Sequence, residues 1–261
     1  MTSALNKVYF RNGPDHRQGS DVGFVDVRKR FDFRAISIGK WVTQKEQHTA
    51  AAHFFDALCD LMLILNAPES LISLRGSLAL QYGKGGRKGV AAHYSPSERS
   101  FALAKNAGPG SIAHEWFHAL DHYLGPRVFS DAPSHLFASK AWLMEATPVA
   151  HPLNDDYLAC LKAVMLDEDG KGASDMFQAS AKMDQSLGQL YYSLPEEMCA
   201  RAFEAFVQDA NLTNHFLVKG TKQSPEAKAG LYPLGAQRER CEAAFRHYFW
   251  RLGGALKREQ A

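Results

Sequence analysis

Apolar and polar residues alternate along the chain with several distinct periods. In "VTQKEQHTAAAHFFDALCDLMLILNAP" the apolar positions Ala50, Phe54, Leu58, Leu61 and Ile64 recur near helical spacing. Thr43 stands where an N-cap is needed, Glu46 follows three residues later as its capping-box partner, and Pro68 marks the stop. The pattern predicts a long amphipathic helix. Its His48 and His53 read as surface or hydrogen-bonded residues rather than ligands.

The period then shortens. "LISLRGSLALQYG", "GVAAHYSP" and "SFALAK" alternate over short runs and predict a small antiparallel meander with one face buried. The Gly-rich stretch from Gly83 to Gly89 joins two of these runs and lacks GxxxxGK[ST]. It therefore predicts a hairpin tip, not a phosphate or nucleic-acid contact through Lys84, Arg87 and Lys88. The first thirty residues mix charge, Gly and brief alternation, which predicts an arm or edge strand.

Helical spacing returns further on. Residues 126–190, rich in Pro, Ser and Asp, read as a lid or insertion with helical pieces at 156–166 and 174–187. "SLPEEMCARAFEAFVQD" predicts a strong helix with Ser193 and Glu196 as a capping box and Pro195 in the first turn. An amphipathic helix at 235–257 closes the chain. No internal repeat is present, so the expectation is an N-terminal arm at 1–30 and a single α+β domain at 31–257.

Composition adds bounds. With 46% hydrophobic and 22% charged residues in 261, the chain can bury a full core. A formal net charge of +2 does not point to a nucleic-acid partner, although a local basic patch leaves one possible. The opening "MTSALNKVYFRNG" carries no secretory pattern and no apolar run approaches a membrane span, so a cytoplasmic protein without a membrane partner is expected. The oligomeric state is left open. Cys59, Cys160, Cys199 and Cys241 are widely spread without a CxxC pair, which predicts reduced, mostly buried thiols.

The candidate chemistry lies in "GPGSIAHEWFHALDHYLG", residues 108–125. On a helix His114 and His118 sit about 40° apart around the axis and roughly 6 Å apart along it, so both imidazoles can reach one metal. Glu115, one residue on, falls beside the metal and can act as a general base. Ser111 reads as the N-cap and Gly125-Pro126 as the stop. HExxH arises by chance in roughly two of a hundred chains of this composition. Here the apolar face of Trp116, Phe117, Leu120 and Tyr123 leaves a polar stripe of His114, His118, Asp121 and His122 that a purely structural helix would not need.

A third ligand must come from another element, because three histidines over two turns do not converge on one tetrahedral ion. The helix after Leu194 offers Glu196, Glu197 and Glu204. Spacing does not choose among them, and acidic residues in a first turn also serve the helix dipole.

The segments "FRAISIGKWV", "SLRGSLALQYGKGGRKGVAAHYSP", "GPGSIAHEWFHALDHYLG", "SLPEEMCARAFEAFVQD" and "HFLVKG" together resemble the zincin-like large polyvalent protein-associated domain, first of its series, over residues 31–250. The resemblance implies a zincin-like fold, in which a small antiparallel or mixed sheet packs on the HExxH helix and on a second, Glu-bearing helix. It also implies a metallopeptidase domain carried by phages, plasmids and conjugative elements. In the wider zincin group an ExxA helix supplies the third ligand, and that pattern matches Glu197 to Ala200.

The resemblance thus implies one Zn2+ on His114, His118 and Glu197, with Glu115 catalytic and a protein or peptide as substrate. Where thermolysin-like enzymes place an aspartate four residues after the ligand glutamate, this chain has Arg201, so Asp121 or Glu204 is expected to support the histidines instead. The "SFALAK" strand or its neighbour would pair with an extended substrate. His122, Tyr191 and Tyr192 are candidate oxyanion stabilisers. The alternative is a non-catalytic zinc-containing interaction or antirestriction module. A deformylase-like arrangement would need a cysteine ligand, and Cys59, within the first amphipathic helix, is poorly placed for it.

Overall fold

The computed structural model describes residues 9–84, 92–105 and 110–260. The chain is α+β, and the described residues form ten helices and a mixed, open four-stranded sheet. It divides into two compact units: residues up to Ala119 with 210–219 and 253–261, and residues 120–209 with 220–252.

The first unit holds α1 (Phe24–Phe31), β1 (Ala35–Ile38), α2 (Gln44–Ile64), α3 (Glu69–Ile72), β2 (Ala79–Tyr82), β3 (Ala92–Ser95), β4 (Ser100–Leu103) and the start of α4 (Ser111–Val128). Thr43 caps α2 as its sequence predicts: its hydroxyl accepts from Glu46 N, and its own N–H donates to the Glu46 carboxylate at 3.0 Å. The face formed by Ala50, Phe54, Leu58 and Leu61 is fully buried. His48 pairs with Asp21, and the half-buried His53 ring packs on Tyr9 and Phe216.

Two expectations fail in this unit. Among the described residues, which begin at Tyr9, the N-terminal segment forms no edge strand, and Arg11 makes an isolated bridge to Asn214. Instead "FVDVRKRF" forms α1, with Phe24, Val27 and Phe31 buried at i, i+3 and i+7. The short alternation Phe-Val-Asp-Val masks that helical stripe.

The sheet is also not a meander. Its order is β1-β2-β4-β3, with β1, β2 and β4 parallel and only β3 antiparallel to β4. β3 precedes β4 in sequence but lies outside it, joined by the turn at 96–99, which leaves β2 to pair with β4. β4, one of the two interior strands, is buried at every position, as strands covered on both faces are. Most of the predicted hairpin tip, including Arg87 and Lys88, lies outside the described residues.

The second unit is helical: the remainder of α4, α5 (Ala138–Leu143), α6 (Pro152–Met165), α7 (Asp175–Leu187), α8 (Pro195–Asp209), α9 (Pro225–Lys228) and most of α10 (Gly235–Gln260). The helical pieces expected at 156–166 and 174–187 are α6 and α7. α6 starts four residues earlier, because His151 accepts from Leu153 N and Pro152 fills the first turn. α5, α6 and α7 all pack on α8. Phe203 and Phe206 of α8 meet Phe245 and Phe249 of α10 with ring centroids 5.6–6.0 Å apart.

The expected stop of α4 is displaced. The helix runs through Gly125 and Pro126 to Val128, with the proline inside its last turn. Gly125 serves a close approach instead, since a Cβ there would lie 2.3 Å from the Leu136 carbonyl oxygen. No helix among the described residues is long and apolar enough to cross a membrane. All four cysteines are buried and free, as expected.

Candidate functional site

α4 carries the first group. One helical turn separates His114 from His118, and their Nε2 atoms are 3.0 Å apart with the rings edge-on. His118 is buried and His114 half-buried; Glu115, between them in sequence, is 7% exposed. The helix is fixed on its other face by Trp116, fully buried, whose Nε1–H donates to Ile72 O at 2.9 Å. Its first turn is held by Ala113 N donating to Leu217 O. Two imidazole nitrogens at this distance hold either a shared proton or a common ion. Tetrahedral zinc with bonds of 2.0–2.1 Å separates its ligand nitrogens by about 3.3 Å. The pair therefore suits a zinc ion with a small adjustment of the rings.

The next turn of α4 carries two buried polar residues, Asp121 and His122. Asp121 has no exposure, and its carboxylate accepts from Ser139 N at 2.8 Å, Ser139 Oγ at 2.5 Å and Tyr157 Oη at 2.7 Å. Burial and the neighbouring Asp121 push the Tyr157 phenol well up, so it stays a neutral donor. His122 is buried with its ring 5.5 Å from Phe137.

α8 carries the carboxylates. Glu196 and Glu197 lie in its first turn and are half-buried; Glu204, two turns on, is buried and accepts from Tyr232 Oη at 3.1 Å. Glu196 Oε2 is buried with no hydrogen-bond partner among the described residues. The expected capping box is absent. Leu194 O accepts from Glu197 N and Met198 N, while the Ser193 hydroxyl donates to Asp184 Oδ2 at 2.6 Å. α8 starts at Pro195, so Leu194 occupies the N-cap position, and Ser193 lies one residue too early to accept from the first-turn N–H groups.

Arg201 explains its own departure from the thermolysin-like pattern. It is buried, donates to Leu231 O at 2.7 Å, to Ser180 Oγ at 3.2 Å and to Tyr192 O, and lies over the Tyr192 ring. Burial lowers its pKa, an effect opposed by the carboxylate of Glu197 one turn away. Arg201 therefore ties α8 to two loops. Of the oxyanion candidates, Tyr191 is exposed and Tyr192 half-buried, their backbone N–H groups both bonded to Asp184.

Cys59 is buried within α2 and burial pushes its thiol up to about 12, the reverse of what a thiolate ligand needs. A cavity lined by Asp167, Asp175, Gln237 and Arg240 lies in the second unit. Its Gln237 is already bonded to Met176 N and Val164 O. Sequence reasoning missed Asp184; the one available signal was an acidic residue near the end of α7 facing a Tyr-Tyr-Ser run.

Residues 183–256, which contain α8 and most of α10, match the family model described as Large polyvalent protein-associated domain 1. No curated protein and no solved structure matches the chain.

Proposed function

We propose that this chain is a zinc-dependent metallopeptidase with a zincin-like fold, holding one Zn2+ on His114, His118 and Glu197 and using Glu115 as general base. The observation that carries the reading is the His114–His118 pair, Nε2 atoms 3.0 Å apart on one turn of α4, with the buried Glu115 beside it. Further support comes from the donor set. Among the described residues, His114, His118 and Glu197 are the group whose ligand atoms lie within 4.8 Å of one another. The family-model match over α8 supports a setting among mobile-element proteins, in line with the sequence resemblance.

Zinc held by these residues would supply Lewis acidity, polarising a peptide carbonyl and acidifying water. The chain's own residues do the rest. His114 and His118 would hold the ion from one helix face, and Glu197 would add a hard, anionic oxygen. Glu115 takes the proton of the attacking water and delivers it to the leaving amine, keeping both transfers within hydrogen-bond reach of one carboxylate. A structural zinc site would gain nothing from such a base, which favours catalysis over the interaction-module reading.

The test is metal analysis of the purified chain together with a proteome-wide search for new N-termini, wild type against Glu115→Gln. One zinc per chain in both, with new termini in the wild type alone, is expected. Identical termini in both would overturn the reading.

A further inference from the structure

We infer that Asp184 is a positioning residue for this centre: it sets the first turn of α8, and with it the Glu197 carboxylate. The inference rests on the reading of Glu197 as a zinc ligand. Asp184 sits near the C-terminal end of α7 and is 5% exposed. Its two oxygens accept four hydrogen bonds from three consecutive residues: Tyr191 N at 3.1 Å, Tyr192 N at 2.8 Å, Ser193 N at 2.8 Å and Ser193 Oγ at 2.6 Å. Successive N–H groups converging in this way make a concave anion seat, and here the seat is filled by the chain's own carboxylate.

The consequence is carried into α8 by short links. Leu194 follows directly, and its carbonyl receives the N–H groups of Glu197 and Met198. One turn beyond Glu197, Arg201 reaches back to the Tyr192 carbonyl of the same seat. The loop is thus held by a carboxylate on one side and a guanidinium on the other, and Glu197 projects from the turn between them. A ligand carboxylate must be placed within a few tenths of an ångström to bind zinc well, and groups that orient ligands govern affinity by about 10- to 100-fold.

The experiment uses the full chain. Zinc affinity is measured by chelator competition, and the cobalt(II)-substituted protein is examined by visible absorption, whose intensity and band positions follow coordination geometry. Asp184→Asn is expected to weaken zinc by about 10- to 100-fold and to alter the cobalt spectrum. A purely structural role would lower the unfolding temperature of the metal-free protein and leave affinity and spectrum at wild-type values, which overturns the inference. Ser193→Ala removes one of the four bonds and keeps the carboxylate. It serves where Asp184→Asn does not fold, with a loss of about fivefold expected and an unchanged spectrum and affinity again overturning the inference. Glu197→Ala separates the two ideas: wild-type zinc affinity in that variant removes the ligand assignment itself, whereas its loss alongside an unaffected Asp184→Asn removes only the role of Asp184.

Discussion

The imidazoles of His114 and His118 meet across one turn of α4 with their Nε2 atoms 3.0 Å apart. Because α4 is pinned at Trp116 and Ala113, the pair is preorganised, and little conformational entropy is lost on binding an ion. Zinc should therefore bind the folded chain and stabilise it. At free zinc a hundred times the dissociation constant, linkage gives about 2.7 kcal/mol. Thermal unfolding with zinc and with a strong chelator checks this, and His118→Ala should erase the difference. An identical melting temperature with and without zinc in the wild type would rule out a folded-state site.

Glu115→Gln keeps the size and burial of the side chain and removes only its basicity. Zinc stoichiometry should be unchanged, and turnover of any cleaved peptide should fall by about 10²- to 10⁴-fold, the range spanned by loss of general-base catalysis. A loss of both zinc and turnover would instead make Glu115 a ligand or a structural residue.

The three glutamates of α8 should separate in zinc titrations. Glu197→Ala is expected to lose affinity by orders of magnitude. Glu204→Ala should lose little, because its carboxylate is already engaged by the Tyr232 hydroxyl. Glu196→Ala is the sharper control, since Glu196 Oε2 is buried without a hydrogen-bond partner among the described residues. If Glu196→Ala, and not Glu197→Ala, abolished binding, the third ligand would move by one residue.

The legible parts of this protein are those where one local signal suffices. The Thr43–Glu46 box, the buried stripe of α2, Pro195 at the start of α8 and the HExxH spacing depend on neighbours within one or two turns. What sequence reading missed depends on partners far along the chain. The pairing of β2 with β4 is decided by where β3 lies, which alternation does not encode. Ser193 reads as a cap, yet α8 begins at Pro195, which puts Leu194 in that position and leaves the Ser193 hydroxyl to donate to Asp184. Gly125 reads as a helix stop, yet it is required by the Leu136 carbonyl. Arg201 looked like a departure from a pattern and is a buried tie between α8 and two loops.

Gly125→Ala tests that last kind of relationship. On helix propensity alone the substitution should stabilise, because alanine is favoured over glycine by about 1 kcal/mol within a helix. The 2.3 Å approach of a Cβ to Leu136 O reverses the sign, since a backbone carbonyl cannot swing aside as a flexible side chain can. A net destabilisation of about 1–3 kcal/mol is expected in denaturant titrations. A gain in stability would mean that the 136–138 segment yields readily.

The acid limb of stability should report two carboxylates. At Asp184, burial pushes the pKa up, but the bonds from Ser193, Tyr192 and Tyr191 outweigh it and hold the group below its usual value. At Asp209, burial is likewise outweighed by Arg238, whose Nε and Nη2 donate at 2.5 and 3.0 Å, and by Lys222. A carboxyl whose folded pKa is depressed stabilises fully above its unfolded pKa of about 3.9, and that contribution is lost as pH falls through the folded value. Urea midpoints of the metal-free chain should thus be flat with respect to these two groups from about pH 5 to 7 and fall below about pH 4. Asp184→Asn and Asp209→Asn should each lower the midpoint at pH 7 and flatten the acid limb, because the uncharged amide has no proton to take up. Were either variant to lose stability equally at pH 3 and pH 7, its carboxylate would not be the group whose protonation destabilises the fold.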